Sequence, residues 1–347
     1  MFDIEKEYSD LARTAAIDWS KLEGKSILIT GATGLIGSCC IRLLLERNRI
    51  SNRSIHVIAL VRDLEKANKL FSEYSKRDDL EFVVSDLESF DRFDTKCDFV
   101  IHAGCPTASN YFINHPVETA TSIVQGTFNM LELAKYNKVD SFVYVSSMEI
   151  YGDGNNARGL ENKLKPENVG YVNPLNMRSS YPEGKRMAEF LIAAFFYEYG
   201  VHAKCARLAQ TFGPGIPLND NRVFAQFARC AIEKKDIVLR TTGESTRMYN
   251  YTTDAAVALI TILLEGKDGI SYNVANESTY SSVREMAELV ASECADGDIT
   301  VRLEIDPDAP YPPEHHLPLD TSDLQLLGWK PKIGLAEMYA NLIMYLS

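Results

Sequence analysis

Ser26-Ile27-Leu28-Ile29-Thr30-Gly31-Ala32-Thr33-Gly34-Leu35-Ile36-Gly37 opens on a short apolar, β-prone run and closes on three glycines set three apart. The residues that follow, Ser38–Arg47, carry helical periodicity. Glycines at such a turn allow a tight reversal and a close backbone approach to a pyrophosphate. The N-terminus of the next helix adds free N–H groups and the positive end of its dipole. Between a strand and a helix, the pattern predicts a dinucleotide site formed by Gly31, Thr33, Gly34, Leu35, Ile36 and Gly37.

The same alternation continues outward. Ile55–Val61 reads as a second strand and Leu64–Tyr74 as a helix. Leu80–Val84, Phe99–His102 and Ser141–Ser146 are further strands, with a long helix over Val117–Tyr136 before the last. Continuous apolar strands separated by helices predict a parallel sheet covered on both faces, an α/β Rossmann-type doubly wound architecture. Residues 1–23 read as an acidic, helical N-terminal extension and 24–206 as the dinucleotide-binding domain, joined by a returning segment near 245–275. The character changes near residue 205. Gly213-Pro214-Gly215-Ile216-Pro217 breaks the chain, and Pro307, Pro310, Pro312, Pro313 and Pro318 form a second proline cluster. Residues 207–347 are therefore expected to form mainly a smaller substrate-binding lobe over the strand ends.

Composition narrows the function. The 347 residues leave room for about two domains, and 46% hydrophobic against 24% charged residues gives a globular core rather than a disordered chain. A net charge of −12 argues against coating a nucleic-acid polymer. A diphosphate is compatible with that balance, because a few local donors hold it. No basic and apolar leader opens the chain, and the apolar run Ala255–Leu264 is half a membrane span, so a soluble protein is expected. Seven cysteines without a CxxC pair read as reduced, mostly buried thiols of a cytoplasmic protein.

The end of the second strand should meet the adenosine ribose. An acidic residue accepts from a 2′-hydroxyl, whereas Arg suits a 2′-phosphate, and the chain offers Arg62 and Asp63 side by side. Those two residues alone leave NAD and NADP both open. Asp86 and Leu87, after the third strand, are candidates for the adenine, or Asp86 is a helix cap.

Two further segments carry reactive groups. Tyr181 and Lys185, in Tyr181-Pro182-Glu183-Gly184-Lys185, lie four apart on one helical face. A phenol with a pKa near 10 becomes a base at neutral pH only beside a cation, the part read for Lys185. In Tyr144-Val145-Ser146-Ser147-Met148-Glu149-Ile150-Tyr151-Gly152, a strand end delivers Ser147 and Glu149. Alternation would set both on one face if the strand continues that far. Glu149 would then remove a proton from carbon, given burial that raises its pKa.

Together these segments resemble the extended short-chain dehydrogenase/reductase family, its NAD-dependent nucleotide-sugar epimerases, dehydratases and decarboxylases. The segments Arg207–Pro214, Gly243–Asp254 and Leu327–Leu335 also look like that family, and the likeness runs from Lys25 to about Leu335. His102–Phe112 and Arg178–Arg186 look most like UDP-glucuronate decarboxylases. The resemblance implies that Tyr181 takes the proton of a sugar 4-hydroxyl while hydride passes to bound NAD, with Ser147 and Lys185 assisting. Decarboxylation, dehydration or epimerisation would follow from the 4-keto sugar. It further implies Ala103 and Gly104 as cofactor contacts, Arg247 for the substrate diphosphate, Arg222 for the nucleotide pocket, and Gln210 in place of the usual Asn. The expected cofactor is NAD, with NADP possible, and the expected assembly is a homodimer through helices near Val117–Tyr136 and Tyr181–Tyr199.

The chain departs from the pattern at two places. Met148-Glu149 stands where some dehydratases carry two acidic residues, and His315-His316 stands where decarboxylases carry an Arg. A His pair without further ligands at suitable spacing predicts no metal site. The competing functions are an NADPH-dependent ketoreductase of the same superfamily and a non-catalytic dinucleotide sensor.

Overall fold

The computed structural model describes residues 2–14, 16–51, 54–154, 157, 159–306 and 314–347. Pro307, Pro310, Pro312 and Pro313 of the second proline cluster lie outside the described residues. Seven parallel strands form the main sheet: β1 (Ser26–Thr30), β2 (His56–Val61), β3 (Leu80–Val84), β4 (Phe99–His102), β5 (Ser141–Ser147), β6 (Ala203–Leu208) and, after an excursion that contains β7 (Gln210–Phe212), β8 (Ile237–Leu239) and β9 (Thr246–Tyr251), β10 (Ser271–Val274). Their spatial order is β10-β6-β5-β4-β1-β2-β3. The order reverses between β1 and β4, where Thr30 sits opposite His102 on one side and Leu60 on the other. A crevice opens outside the carboxyl ends of the strands at such a point.

Strand alternation divides the core. Ile27 and Ile29 face one layer, with the helices α1 (Ile4–Leu11) and α2 (Leu35–Ser51) and with Ala255–Leu263. Leu28 and Ile58 face the other, with α5 (Pro116–Asn137) and α6 (Ser180–Tyr199). Between them in sequence come α3 (Leu64–Leu70) and α4 (Ser109–Asn114). The predicted helix to Tyr74 ends early: α3 stops at Leu70, and Ser72–Tyr74 is a separate 3-10 turn. In the N-terminal extension, Tyr8, Leu11 and Ala12 pack into the first core, and Arg47 lies over the Trp19 ring, 5.1 Å from its centroid.

Past Leu208 the chain builds a third core from α7 (Val223–Glu233), α9 (Val283–Leu289) and α11 (Leu335–Leu346). A small sheet places β9 between β11 (Asn276–Ser282) and β13 (His316–Leu317), with β7 also on β9; β12 (Val301–Leu303) pairs β8. The intervening helix α8 (Thr252–Glu265) is buried along nearly its whole length against the main sheet, and α10 (Ser322–Leu326) lies near β10. No helix among the described residues is long and apolar enough to cross a membrane. All seven cysteines are free, and burial pushes the Cys39 and Cys97 thiols up to about 12.

Candidate active site

The crevice at the β1/β4 reversal is a cleft of about 470 Å³. That is the size of a pre-formed small-molecule site, which spans about 300–1,000 Å³. Its floor is the glycine turn. Gly31 has φ +63°, and a Cβ there would stand 2.7 Å from the Ala103 carbonyl oxygen, so only glycine lets the two strand ends approach. Gly31, Thr33, Gly34, Leu35, Ile36 and Gly37 all line the cleft, as do Ala103 and Gly104 opposite them.

A buried polar network holds those strand ends together. The Thr127 hydroxyl donates to the Ile123 carbonyl at 2.6 Å, which leaves its oxygen to accept from His102 Nε2 at 3.2 Å. His102 Nδ1 then accepts from Thr30 Oγ1 at 2.7 Å, and Thr30 Oγ1 accepts from the Gly104 amide at 2.9 Å. Every group is satisfied only with a neutral ring protonated on Nε2. Burial, reinforced by the Lys185 charge, pushes His102 down to about 3, in keeping with that form. The sequence marks the histidine without revealing this work, because its partners lie on two other elements, β1 and α5.

At the nicotinamide end, Ser147, Tyr181 and Lys185 all reach the cleft wall. Tyr181 stacks on Phe112, with ring centroids 4.9 Å apart and planes 18° off parallel. Lys185 is buried and donates to the Val145 carbonyl at 2.7 Å, with its Nζ 4.5 Å from the Tyr144 ring centroid. Burial holds the Tyr181 phenol well above its ordinary range; a hydrogen bond with Ser147 opposes that shift. This differs from the expected phenolate beside Lys185. The ammonium is pinned to a carbonyl, 5.6 Å from the Tyr181 ring centroid, and does not hydrogen-bond the phenol.

The expected placement of Glu149 is also corrected. β5 ends at Ser147, and Met148–Tyr151 turns into a 3-10 helix whose Glu149 amide donates to Ser147 Oγ at 3.2 Å. Glu149 nevertheless lines the cleft, where Arg178 grips it through both guanidinium ends, at 3.0 and 3.3 Å. Burial raises its pKa, but the Arg178 charge and hydrogen bonds, with Arg247 and His315, outweigh burial and leave the carboxyl below its usual range. The expected upward shift is absent, because sequence reading did not place Arg178 here.

Arg222, Arg247 and Gln210 line the same end. Arg222 is held by Asp220 at 2.7 Å, and Arg247 Nη2 donates to His315 Nε2 at 2.9 Å. His316 turns to Thr246 and Glu314 instead. Among the described residues no group of three His, Cys, Asp or Glu is placed to hold a metal. At the adenosine end Arg62 and Leu87 are on the wall, joined by Lys66 and Glu88. Asp63 and Asp86 are not: both are exposed, and the Asp63 carboxylate caps α3 by accepting from the Lys66 amide at 2.9 Å.

The cleft suits an extended ligand with a phosphate middle. Its turn leaves amides at a helix start, and two wall residues, Ser146 and Arg247, carry buried polar atoms with no partner among the described residues, Oγ and Nε. Native structures seldom leave such groups without a ligand or water.

The comparisons with known proteins agree with this geometry. The family model described as NAD dependent epimerase/dehydratase family matches residues 27–275. UDP-glucuronic acid decarboxylase 3 of Arabidopsis thaliana is 30% identical over 312 residues, 90% of this chain and 86% of that protein. UDP-glucuronic acid decarboxylase 1 of Danio rerio is 27% identical over 332 residues, 94% of this chain and 74% of that protein. A solved UDP-glucose 4-epimerase from Thermotoga maritima, with UDP-glucose, superposes at a TM-score of 0.76 with 21% identity, covering 92% of this chain and 98% of its own. A UDP-glucuronic acid 4-epimerase from Bacillus cereus, in complex with NAD, gives 0.74 and 20%, with the same two shares. The two structures show that the fold is shared.

Proposed function

Because the chain belongs to the NAD-dependent epimerase/dehydratase family, we propose that it oxidises the C4-hydroxyl of a nucleotide-diphosphate sugar and completes the reaction through a 4-keto sugar. The observation that carries this reading is the convergence of Ser147, Tyr181, Lys185 and Glu149 on one cleft whose other half is the glycine turn. NAD, held by the glycine turn Gly31–Gly37 and by Lys185, would supply the acceptor for the C4 hydride and its later donor, with no net redox change.

The chain's own residues divide the work. Tyr181 takes the C4-hydroxyl proton, and Ser147, within hydrogen-bond reach of Tyr181, fixes the sugar oxygen between them. Lys185 holds the nicotinamide ribose and adds positive charge to this wall. Arg247 meets the substrate diphosphate and Arg222 lines the nucleotide pocket, with Gln210 on the same wall. The 4-ketone acidifies the C5 proton. Glu149, kept ionised by Arg178, accepts that proton in dehydration or C5 epimerisation, whereas a C6 carboxylate would leave as carbon dioxide. We read residues 207–347 mainly as the lobe that closes on the sugar.

Two coarser properties join this reading. Val117, Phe128 and Tyr136 on α5, and Met187, Phe190 and Tyr197 on α6, leave apolar surface exposed on adjacent helices. A second copy of the chain would cover it as a homodimer. The free cysteines suit a reducing, cytoplasmic compartment.

Incubation with UDP-, CDP-, GDP- and dTDP-sugars, followed by mass spectrometry, tests the function. Turnover of one of them without cofactor consumption is expected. Loss of carbon dioxide, loss of water, or an unchanged mass with a new NMR signature identifies the branch. Stoichiometric oxidation of NADPH by a simple ketone, with no sugar nucleotide turned over, would replace the reading with a ketoreductase.

A further inference from the structure

Tyr151 closes the turn that carries Glu149. Within Met148–Tyr151, Glu149 lies on the cleft wall, whereas Tyr151 is fully buried and off that wall. One short turn thus presents a carboxylate to the ligand and a phenol to the interior. The phenol is engaged on both sides: its hydroxyl donates to Asn273 Oδ1 at 2.6 Å and accepts from Arg207 Nη1 at 3.0 Å. Arg207 comes from β6 and is itself buried. It gives Nε and Nη2 to the Glu189 carboxylate, at 3.0 and 2.6 Å, and turns Nη1 to Tyr151 and the Pro166 carbonyl. A salt bridge that only fastened β6 to α6 would have no use for that third contact. Loss of any member leaves a buried donor or acceptor unpaired, which costs more than one hydrogen bond gains.

Both ends of this network reach the site. Glu189 lies on α6, on the helical face that also carries Tyr181 and Lys185. From the same helix Arg186 Nη2 donates to the Ile150 carbonyl at 2.6 Å. Helix α6 therefore grips the turn directly at Ile150 and, through Glu189 and Arg207, at Tyr151. On the other side Asn273, from β10, donates through Nδ2 to the Leu164 and Asp320 carbonyls, each at 2.9 Å. Asp320 follows β13, whose Leu317 pairs with Arg247. A single hydroxyl stands between the helix of Tyr181 and the segment next to the strand of Arg247.

We propose that Tyr151 is a positioning residue: its hydroxyl, held between Arg207 and Asn273, sets the Glu149 carboxylate against Arg178 and fixes that pair relative to Tyr181 and Arg247. The inference rests on reading Glu149 as the acceptor of the C5 proton and adds the device that aims it. Tyr151 acts through the turn alone, since neither it nor Arg207 or Asn273 lines the cleft. Aim of this kind matters because a misplacement of about 1 Å at a reacting group can cost about 10²-fold in rate.

A double-mutant cycle on the full chain tests the tether without any substrate. Tyr151→Phe keeps the ring in the core and removes the hydroxyl, while Arg178→Ala removes the partner of Glu149. In urea unfolding, Arg178→Ala is expected to lower the midpoint no more than about half as much in the Phe background as in the wild type, because the carboxylate has already left its partner. Sites that share no partner add, so equal shifts in both backgrounds would overturn the proposal. Kinetics supply the functional half, with UDP-glucuronate, UDP-glucose and dTDP-glucose as probes. Tyr151→Phe should lower kcat roughly two- to tenfold, the scale of one net hydrogen bond, with KM within about twofold of wild type. A wild-type kcat beside a broken coupling would also overturn the proposal, since the carboxylate would then need no aiming. Turnover of none of these probes by the wild type would count against the reading of the site and leave the cycle to decide the tether. If Tyr151→Phe does not fold, Asn273→Ala removes the acceptor of the same hydroxyl and carries the same expectations.

Discussion

Arg178 and Glu149 meet at two points inside the cleft, although 29 positions separate them in sequence. Arg178 also lies 6.0 Å from the centroid of the Phe112 ring, which stacks on Tyr181. The pair thus links the carboxylate to the wall that carries the phenol. Arg178→Ala should lower kcat roughly tenfold or more through lost charged hydrogen bonds, and Arg178→Lys should recover part of it. The pH dependence distinguishes charge from packing. Glu149 is depressed below its ordinary 4.5 once folded, so the pair stabilises the protein above that value and the contribution fades as pH falls through the lower folded value. The Tm gap between wild type and Arg178→Ala should be widest at neutral pH and close in acid. A gap constant from about pH 7 to about pH 4 would assign Arg178 to packing alone.

Tyr181→Phe keeps the stack on Phe112 and removes only the hydroxyl. A general base contributes about 10²–10⁴-fold, so turnover should fall by that much with sugar-nucleotide affinity nearly unchanged. Steady-state rates and equilibrium titration of the same preparation check both halves. More than about a tenth of the wild-type rate would remove Tyr181 from the proton transfer.

Glu149→Gln separates oxidation at C4 from chemistry at C5. With the true substrate, the variant should accumulate reduced nicotinamide absorbance and release product about 10²–10⁴-fold more slowly. Product at the normal rate would favour simple C4 epimerisation, which needs hydride return and no carbon base.

Gly31→Ala and Gly24→Ala form a matched pair. Both glycines have positive φ, +63° and +70°, so each substitution bears a similar backbone cost of about 1–2 kcal/mol. Only at Gly31 does the new methyl also meet Ala103, whereas nothing lies within 4 Å of it at Gly24. Dinucleotide affinity should therefore collapse in the first variant and persist in the second. Equal affinities would show that the strand ends can separate without harm.

Glu7 ties the N-terminal helix to the body by accepting from Thr253 Oγ1 at 2.6 Å. Burial, aided by Asp254 and Glu337, raises its carboxyl above 4.5 against the hydrogen bonds from Thr253 and Tyr251. A raised folded value means a contribution present below 4.5 and lost as pH rises through it. Glu7→Gln keeps an acceptor and removes the charge, so it should raise Tm by about 1–3 °C near neutrality and lose that advantage in acid. A lower Tm at every pH would mean that the hydrogen bonds outweigh the charge.

Legibility from sequence followed local pattern. β1, β2, β4 and β5 read directly as buried apolar runs and β3 as an apolar run at the partly exposed sheet edge, but β6 hides behind Lys204 and Arg207. Both are buried because Asp268 and Glu189 pair with them at 2.7 and 2.6 Å, partners that no local pattern reveals. The glycine turn, Ser147, Tyr181 and Lys185 carry spacing that points to chemistry. Arg178 and Lys66 carry none, since a lone cation in a turn or on a short helix looks like ordinary surface. Glu149 was found for a reason that did not hold: alternation ended at Ser147, and a turn carried the carboxylate into the cleft.

The last strand of the main sheet has a history as well as a place. β6 ends at Leu208 and its neighbour β10 begins at Ser271, so about sixty residues emerge from the ribosome before that edge is closed. During synthesis β6 presents an open row of amides and carbonyls, a template for pairing with another nascent chain. The buried charge of Lys204 falls on this strand, and until Asp268 is synthesised it acts as a gatekeeper against such pairing, whereas the Arg207 partner, Glu189, precedes the strand. Closing so long a loop also delays the final pairing, since non-local contacts form late. A chain released before Val274 would expose this edge permanently, which makes translational arrest in that stretch a route to aggregation rather than to a smaller working enzyme.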